Sequence, residues 1–319
     1  MRTGPNDFQP TASTTVLAQR AKLLDSLRTF FDDQRFIEVE TPLVASEIIP
    51  ELHIDPMQLA DGTFLQSSPE LHMKRLLAAG AESIYQVTRS FRSGERGALH
   101  NPEFTIVEWY RVGDDMRAGI DRLDALLQSL LGTPPAICTS YGQAFERALQ
   151  FCPYTASIDQ MAAAAEKAGL QLAEGVDPTD RDSWLNFLLA MRVEPNLGRD
   201  RPEIIYHYPG SQASLAKIVR SENGHRVAER FEIYYRGIEL ANGFHELGNA
   251  DELRSRFEKV NVDRAADGRQ ILPMPERFLA AMQQMPDCTG VALGFDRLAM
   301  LAHGATSIDD VVAFPQERA

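Results

Sequence analysis

A chain of 319 residues, 44% hydrophobic and 24% charged, has the composition of a globular protein with one large domain or two small ones. Its net charge of −13 argues against a protein that coats nucleic acid by bulk electrostatics, while leaving room for a local basic pocket. No 18-residue apolar run is present, the N-terminus lacks an apolar signal core, and Cys138, Cys152 and Cys288 are an odd number without CxxC spacing; these features exclude a membrane span, a secretory signal and a disulfide or zinc framework, and predict a reduced, cytoplasmic protein.

Residues 1–13 read as a flexible lead-in. Thr14 or Thr15 then caps a helix through about Gln34, with Leu17, Ala21, Leu24, Leu27 and Phe31 as an apolar stripe at helical spacing. FIEVETPLV (36–44) alternates Ile37 and Val39 against Glu38 and Glu40, a strand stopped by Pro42. SPELHMKRLLAAG (68–80) predicts a helix with Ser68 at its cap, Pro69 at its first position and Gly80 past its end. SIYQVTRSFR (83–92) and PEFTIVEWYRV (102–112) predict a hairpin with a long polar tip. Helices are expected over 134–149, 157–170 and 177–198, the last ending before Pro195. A strand begins at 203 and turns at Pro209-Gly210, and 226–247 supplies one or two long strands. Near the C-terminus, GVALGFDRLAM (290–300) places side-chain-poor Gly290, Ala292 and Gly294 before Asp296, Arg297 and an apolar run. This order lacks regular βαβ spacing and predicts an α+β fold, an antiparallel β-sheet flanked by helices.

Familiar nucleotide and hydrolase motifs are missing. HELGN (245–249) is not HExxH, because position 249 is Asn249, and neither GxGxxG after a strand, GxxxxGK[ST] nor GxSxG occurs. If the chain uses ATP, side chains and metal must hold the phosphates. The hairpin carries Arg89, Arg92, Arg96 and Arg111 with Glu95, Glu103 and Glu108, and alternation puts Phe104, Ile106, Glu108 and Tyr110 on one face. That face suits a flat ring and a charged group; solvated hairpin ends account for the same charges. Glu239 and Glu246 lie seven residues apart around Asn242-Gly243, an oxygen-rich set that suits Mg²⁺ or, more plainly, an acidic surface turn.

Taken together, these segments resemble the three signature motifs of the class II aminoacyl-tRNA synthetase catalytic domain. Motif 1 is the helix and strand ending FIEVETPLV, motif 2 is FRSGERGALHNPEFTIVEWYR (91–111), and motif 3 is GVALGFDRLAML (290–301). SSPELHMKRL (67–76) and GIELANGFHEL (237–247) also match, the lysyl-tRNA synthetases form the nearest branch, and the resemblance runs from about Val16 to Phe314. It implies one class II synthetase-like catalytic domain over 1–319. Three departures stand out. Motif 1 begins almost at the N-terminus, leaving no room for an anticodon-binding domain; Ser214 stands where the tRNA-charging enzymes usually carry a proline; and Ala292 replaces a glycine of motif 3. These departures are similar to a shortened branch of the family that joins (R)-β-lysine to a lysine of elongation factor P. Motif 2 also differs, with Gly94 in place of the usual glutamate and Glu95 one residue later.

The resemblance implies an ATP-dependent ligase with Mg²⁺, acting as a homodimer on elongation factor P without a stable tRNA complex. It implies Arg92, Glu239, Glu246 and Arg297 as catalytic residues, with Arg92 bridging the substrate carboxylate and the α-phosphate. Phe104 and Arg297 would flank adenine, and Glu239 and Glu246 would hold the metal. Ser93, Gly94, Glu95, His100, Asn101, Leu240, Asn242 and Gly294 would complete the ATP site. Ser68, Pro69, Glu70, Glu108, Tyr110, Glu246 and Ala292 would line the amino-acid pocket, with Glu108 and Tyr110 on the ε-ammonium, Glu70 on the other amine and the Ala292 methyl disfavouring α-lysine. Two alternatives stay open: a minimal lysyl-tRNA synthetase-like enzyme using α-lysine, and a catalytically silent paralogue that binds or regulates.

Overall fold

Ser13 starts the first helix, its hydroxyl accepting the Val16 N–H, so the cap lies one residue before the expected threonines. The computed structural model describes residues 8–173 and 176–319, and the part of the expected lead-in at 1–7 lies outside them. Within the rest of that lead-in, Thr11 is tied down: its N–H and hydroxyl donate to the carbonyls of Ala313 and Val312, and Ala12 beside it is buried.

The chain forms two units, one from Met1–Gly113 with Gly248–Ala319 and the other from Asp114–Leu247. The first unit begins with α1 (Thr14–Asp33), β1 (Ile37–Glu38), β2 (Val44–Ala45), β3 (Phe64–Leu65), α2 (Glu70–Ala78), β4 (Ser83–Phe91) and β5 (Glu103–Val112). The second holds α3 (Met116–Leu131), β6 (Ile137–Ser140), α4 (Tyr141–Leu149), α5 (Ile158–Lys167), α6 (Arg181–Leu188), β7 (Glu203–Pro209), β8 (Ile218–Arg220), β9 (Arg226–Tyr235) and β10 (Ile238–His245). The first then resumes with α7 (Ala250–Ala266), α8 (Glu276–Met282), β11 (Cys288–Gly294) and α9 (Phe295–Ala302).

In the first unit β4, β5 and β11 pair antiparallel in that order, and β1 joins β4 in parallel. Strand alternation then separates two faces. One presents Tyr85 and Trp109 to α1, whose Phe31 stacks on Tyr85 with ring centroids 4.4 Å apart and lies 5.3 Å from Trp109. The α1 residues that are buried are Leu23, Leu27 and Phe31, a narrower i, i+4 row than the expected stripe: Leu17 and Leu24 are half-buried and Ala21 is exposed. The other face packs its Ile84 and Tyr110 against Met73 and Leu77 of α2. The strand expected over 36–44 is interrupted. Only Ile37–Glu38 pairs with β4, and Val44–Ala45 turns away to β3, with Pro42 between them unable to donate to a ladder.

Arg264 of α7 is fully buried and donates to the carbonyls of Gln270, Glu51 and Ile54 and to the Asp55 carboxylate. The Asp55 carbonyl in turn accepts the Ser93 N–H, so this arginine reaches through the 51–55 loop to the turn after β4.

In the second unit β10, β9, β7 and β6 lie in that order, antiparallel except for the β7–β6 edge, and β8 pairs with the start of β9. Both units thus carry the expected antiparallel sheet with flanking helices. The helix expected from 134 begins only at Tyr141. Residues 137–140 pair with β7, and Ser140 and Gln143 close a reciprocal capping box at the junction. The helix expected over 177–198 is regular only to Leu188, then widens into a π turn through Val193 and a 3₁₀ turn at Glu194–Asn196 that accommodates Pro195.

Candidate active site

The floor of the site in the first unit is built by strand register. Across β5 and β11, Tyr110 pairs with Gly290, Glu108 with Ala292 and Ile106 with Gly294. Across β5 and β4, Glu108 pairs with Gln86, which accepts from the Thr41 hydroxyl at 2.9 Å. The small residues of β11 therefore stand on the same face as the Glu108 carboxylate.

Glu108 is 2% exposed and is held by two hydroxyls: Ser68 Oγ donates to Oε2 and Tyr110 Oη to Oε1, each at 2.5 Å. Ser68 Oγ also accepts the Glu70 N–H at 3.1 Å. This serine therefore caps the start of α2, although Pro69 occupies the cap position itself. Glu70 pairs with Lys74 one turn along the helix, Nζ to Oε1 at 2.5 Å, and the lysine is 1% exposed. Burial, with the Glu70 charge beside it, pushes the Glu108 carboxyl up to about 8; its two hydroxyl donors and Lys74 pull the other way.

The turn after β4 carries Arg92. Its N–H bonds the Pro102 carbonyl, and Gly94 adopts φ 75°, a left-handed conformation that the glutamate usual at this place in motif 2 would take only with strain. The Arg92 guanidinium lies 5.0 Å from the centroid of the Phe104 ring and 3.8 Å from Glu95. Arg297, expected on the other face of adenine from Phe104, meets the same loop further along. That arginine bonds the Leu99 carbonyl at 3.2 Å and His100 Nε2 at 2.6 Å. Burial beside Arg297 pushes the His100 pKa down, which leaves a neutral ring able to accept that bond. Asn101 Nδ2 donates to the Glu103 carbonyl, and its Oδ1 accepts the Gln316 N–H.

Three of the four hairpin arginines, Arg89, Arg92 and Arg96, lie beside carboxylates. Arg96 donates to both oxygens of Glu317 and to Asp309, clamping the C-terminal segment, and Arg89 lies 3.7 Å from Glu103. Sequence reasoning also passed over Arg20 and the task of Asp296. Arg20 of α1 donates to the buried Asp296 carboxylate at 2.5 Å and to Thr105 Oγ1, and the other Asp296 oxygen accepts the Thr105 N–H at 2.9 Å, which fixes the start of α9 and hence Arg297. Nothing local in the sequence marks this pair. Lys74 left a visible signal, an acid and a base at i, i+4 in PELHMK.

In the second unit, Glu239 and Glu246 are an odd number of residues apart, so a regular strand would point them to opposite faces. The β10–β9 register shifts by one between Glu239 and Ala241. Glu239 consequently pairs with Tyr234, Asn242 with Glu232 and Phe244 with Arg230, all on one face, and continued alternation brings Glu246 to it. Leu240, at the shift, is buried in the core. On that face Glu232 is held by the hydroxyls of Tyr208 and Tyr234 and by Arg230. Among the described residues no group of three or more His, Cys, Asp or Glu side chains forms a metal-binding cluster.

The family model for tRNA synthetases class II (D, K and N) matches residues 6–318. The chain belongs to the class II tRNA synthetases. This synthetase is 49% identical, over 98% of both chains, to a Pectobacterium atrosepticum protein named elongation factor P–(R)-beta-lysine ligase. Proteins of the same name from Klebsiella pneumoniae and Salmonella paratyphi A are 48% and 47% identical to it, again over 98% of each chain. Motif 1 of the synthetase thus falls on α1 and β1, motif 2 on the β4–β5 hairpin and motif 3 on β11 and α9.

The state of Glu108 has a consequence for stability. Its carboxyl is raised from 4.5 to about 8, so between those values the folded synthetase binds a proton that the unfolded chain has released. Stability must fall as pH rises through that window. Glu108→Gln, which keeps the shape without the charge, is expected to flatten that fall and to melt a few degrees above wild type near pH 9. Thermal unfolding from pH 5 to 9 measures it; parallel slopes for the two proteins would mean that Glu108 is already ionised at neutral pH.

Proposed function

We propose that this class II synthetase is an ATP-dependent ligase that activates (R)-β-lysine as its adenylate and transfers it to the ε-amino group of a lysine of translation elongation factor P. The observation that carries this conclusion is the 47–49% identity, over 98% of both chains, to relatives bearing that name. In the first step the substrate carboxylate attacks the α-phosphorus and pyrophosphate leaves. In the second the acceptor amine attacks the acyl carbon and AMP leaves. Both steps need positioning and charge neutralisation more than a strong base.

Arg92, already stacked on Phe104, is suited to bridge the carboxylate and the α-phosphate, because a planar guanidinium offers donors to both. Phe104 and Arg297 serve the adenine, with His100 and Asn101 shaping the loop between them. Ser93, Gly94, Glu95 and Gly294 present backbone beside the nucleotide. Ser68, Pro69, Glu70, Glu108 and Tyr110 receive the diamine. Mg²⁺ is assigned to Glu239 and Glu246, carboxylates of the kind that suit an ion that keeps its waters and takes phosphate oxygens. The protein acts in the cytoplasm and forms no stable complex with tRNA.

A homodimer is the assembly proposed, supported by exposed apolar side chains in the motif 1 region, where Ile37, Leu43 and Val44 are 62%, 39% and 44% exposed. Sedimentation at micromolar concentration is expected to give twice the 35.6 kDa of one chain. A monomer at that concentration removes the dimer from the proposal.

Ligase activity is tested by mass spectrometry of elongation factor P after incubation with ATP, Mg²⁺ and candidate amino acids. The expected product is one (R)-β-lysyl group on one lysine, with bulk tRNA left uncharged. Label on tRNA and none on elongation factor P would favour the α-lysine tRNA-charging alternative, and no amino-acid-dependent pyrophosphate exchange would favour the silent one. Glu246→Gln is expected to lower exchange by about a hundredfold or more through loss of metal charge. In the same assay Ala292→Gly, which clears the methyl facing Glu108, is expected to raise the specificity constant for α-lysine relative to (R)-β-lysine by about tenfold. Parallel changes for both amino acids would show that the methyl does not read the amine's position.

A further inference from the structure

The proposed chemistry leaves Lys74 without a task, yet its burial is costly. The side chain is 1% exposed, its ammonium lies 2.5 Å from Glu70 Oε1, and it stands 6.0 Å from the centroid of the Tyr110 ring. An ammonium taken out of water loses hydration that ion pairing restores only in good geometry. Glu70 and Glu108 are 8% and 2% exposed, so two carboxyl groups share one dry site. They are held differently. Glu70 takes a cation from its own helix, whereas Glu108 takes the hydroxyls of Ser68 and Tyr110. Two like charges in a dry site do not ionise independently.

We propose that Lys74 is a positioning residue: as the internal counter-ion of Glu70 it fixes that carboxylate, and it leaves Glu108 as the carboxyl that releases its proton when a substrate ammonium enters. The inference rests on the assignment of (R)-β-lysine as substrate. In the first unit the titratable and charged groups facing Glu108 are Glu70 and Lys74 from α2 and Tyr110 from β5; its strand neighbours Gln86 and Ala292 are uncharged. Glu70 opposes ionisation of Glu108 and Lys74 favours it. Removing either one should therefore move the proton-linked step, in opposite directions.

The experiment is the pH dependence of KM for (R)-β-lysine, read by pyrophosphate exchange in the wild type, Lys74→Met, Lys74→Arg and Glu70→Gln, with thermal unfolding as the check on folding. In the wild type KM is expected to rise about tenfold per pH unit below about 8, because each binding event releases a proton. Lys74→Met should move that break upward by about one pH unit, Glu70→Gln should move it downward by a similar amount, and Lys74→Arg should keep it near the wild-type position. Opposite displacements support the proposal. A lysine that serves stability alone would lower the melting temperature and leave the break in place in both variants, and that result overturns it. Should Lys74→Met not fold, an unmoved break in Glu70→Gln overturns it equally. A wild type without (R)-β-lysine-dependent exchange at any pH overturns the substrate assignment and this inference with it, whereas normal exchange with coincident pH profiles overturns the inference alone.

Discussion

The side chains that β5 presents beside α2, Glu108 and Tyr110, depend on its register between β4 and β11. A slip of one residue would exchange the faces of the strand, turning Glu108 and Tyr110 toward α1 and Trp109 toward the pocket. What resists the slip is on the far side of the sheet, where Phe31 packs against Tyr85 and Trp109. The apolar face and the chemical face are alternate residues of the same strands, so the energy that buries one aligns the other. This is why a carboxylate as dry as Glu108 is held with hydroxyl partners on both oxygens.

The segment after β4 is held by contacts that lie far from it in sequence. Arg264 and Asp55 reach its first residues, Arg297 and the His100 ring hold its middle, and Arg96 and Asn101 tie it to the C-terminal segment. One of these, Arg264 to Asp55, is a charge-assisted bond with a fully buried partner, where losing the carboxylate leaves a charge without compensation. A loop with little apolar surface of its own is thereby given one conformation. Pre-set geometry of this kind suits a reaction in which the protein's main contribution is to hold two anions in line.

The second unit solves a different problem. Two acids separated by seven residues are brought to one strand face by a single register shift at Leu240, whose own side chain goes into the core. The acids themselves were legible in the sequence, but their common face was not. A bulge is set by how β10 meets β9, and no composition or spacing rule marks which residue will be skipped. The same limit explains the start of α4. The apolar and polar pattern of 134–149 suits a helix, but pairing with β7 captures its first residues as a strand.

By itself, the sequence determined the order of the motifs, the hairpin, the helix that begins after Ser68 and the family they signify. These rest on local rules: alternation, caps, turn residues and side-chain-poor stretches act over a few residues and can be read from them. Tertiary structure alone decided that Arg92 stacks on Phe104, that Arg96 is spent on Glu317 and Asp309, that Asp296 is anchored by Arg20, and that Lys74 and Glu108 lie in one dry pocket. Each of those facts joins charged groups whose choice of partner depends on what water has been excluded around them. Burial is a property of the whole assembly of elements, and no window of sequence contains it.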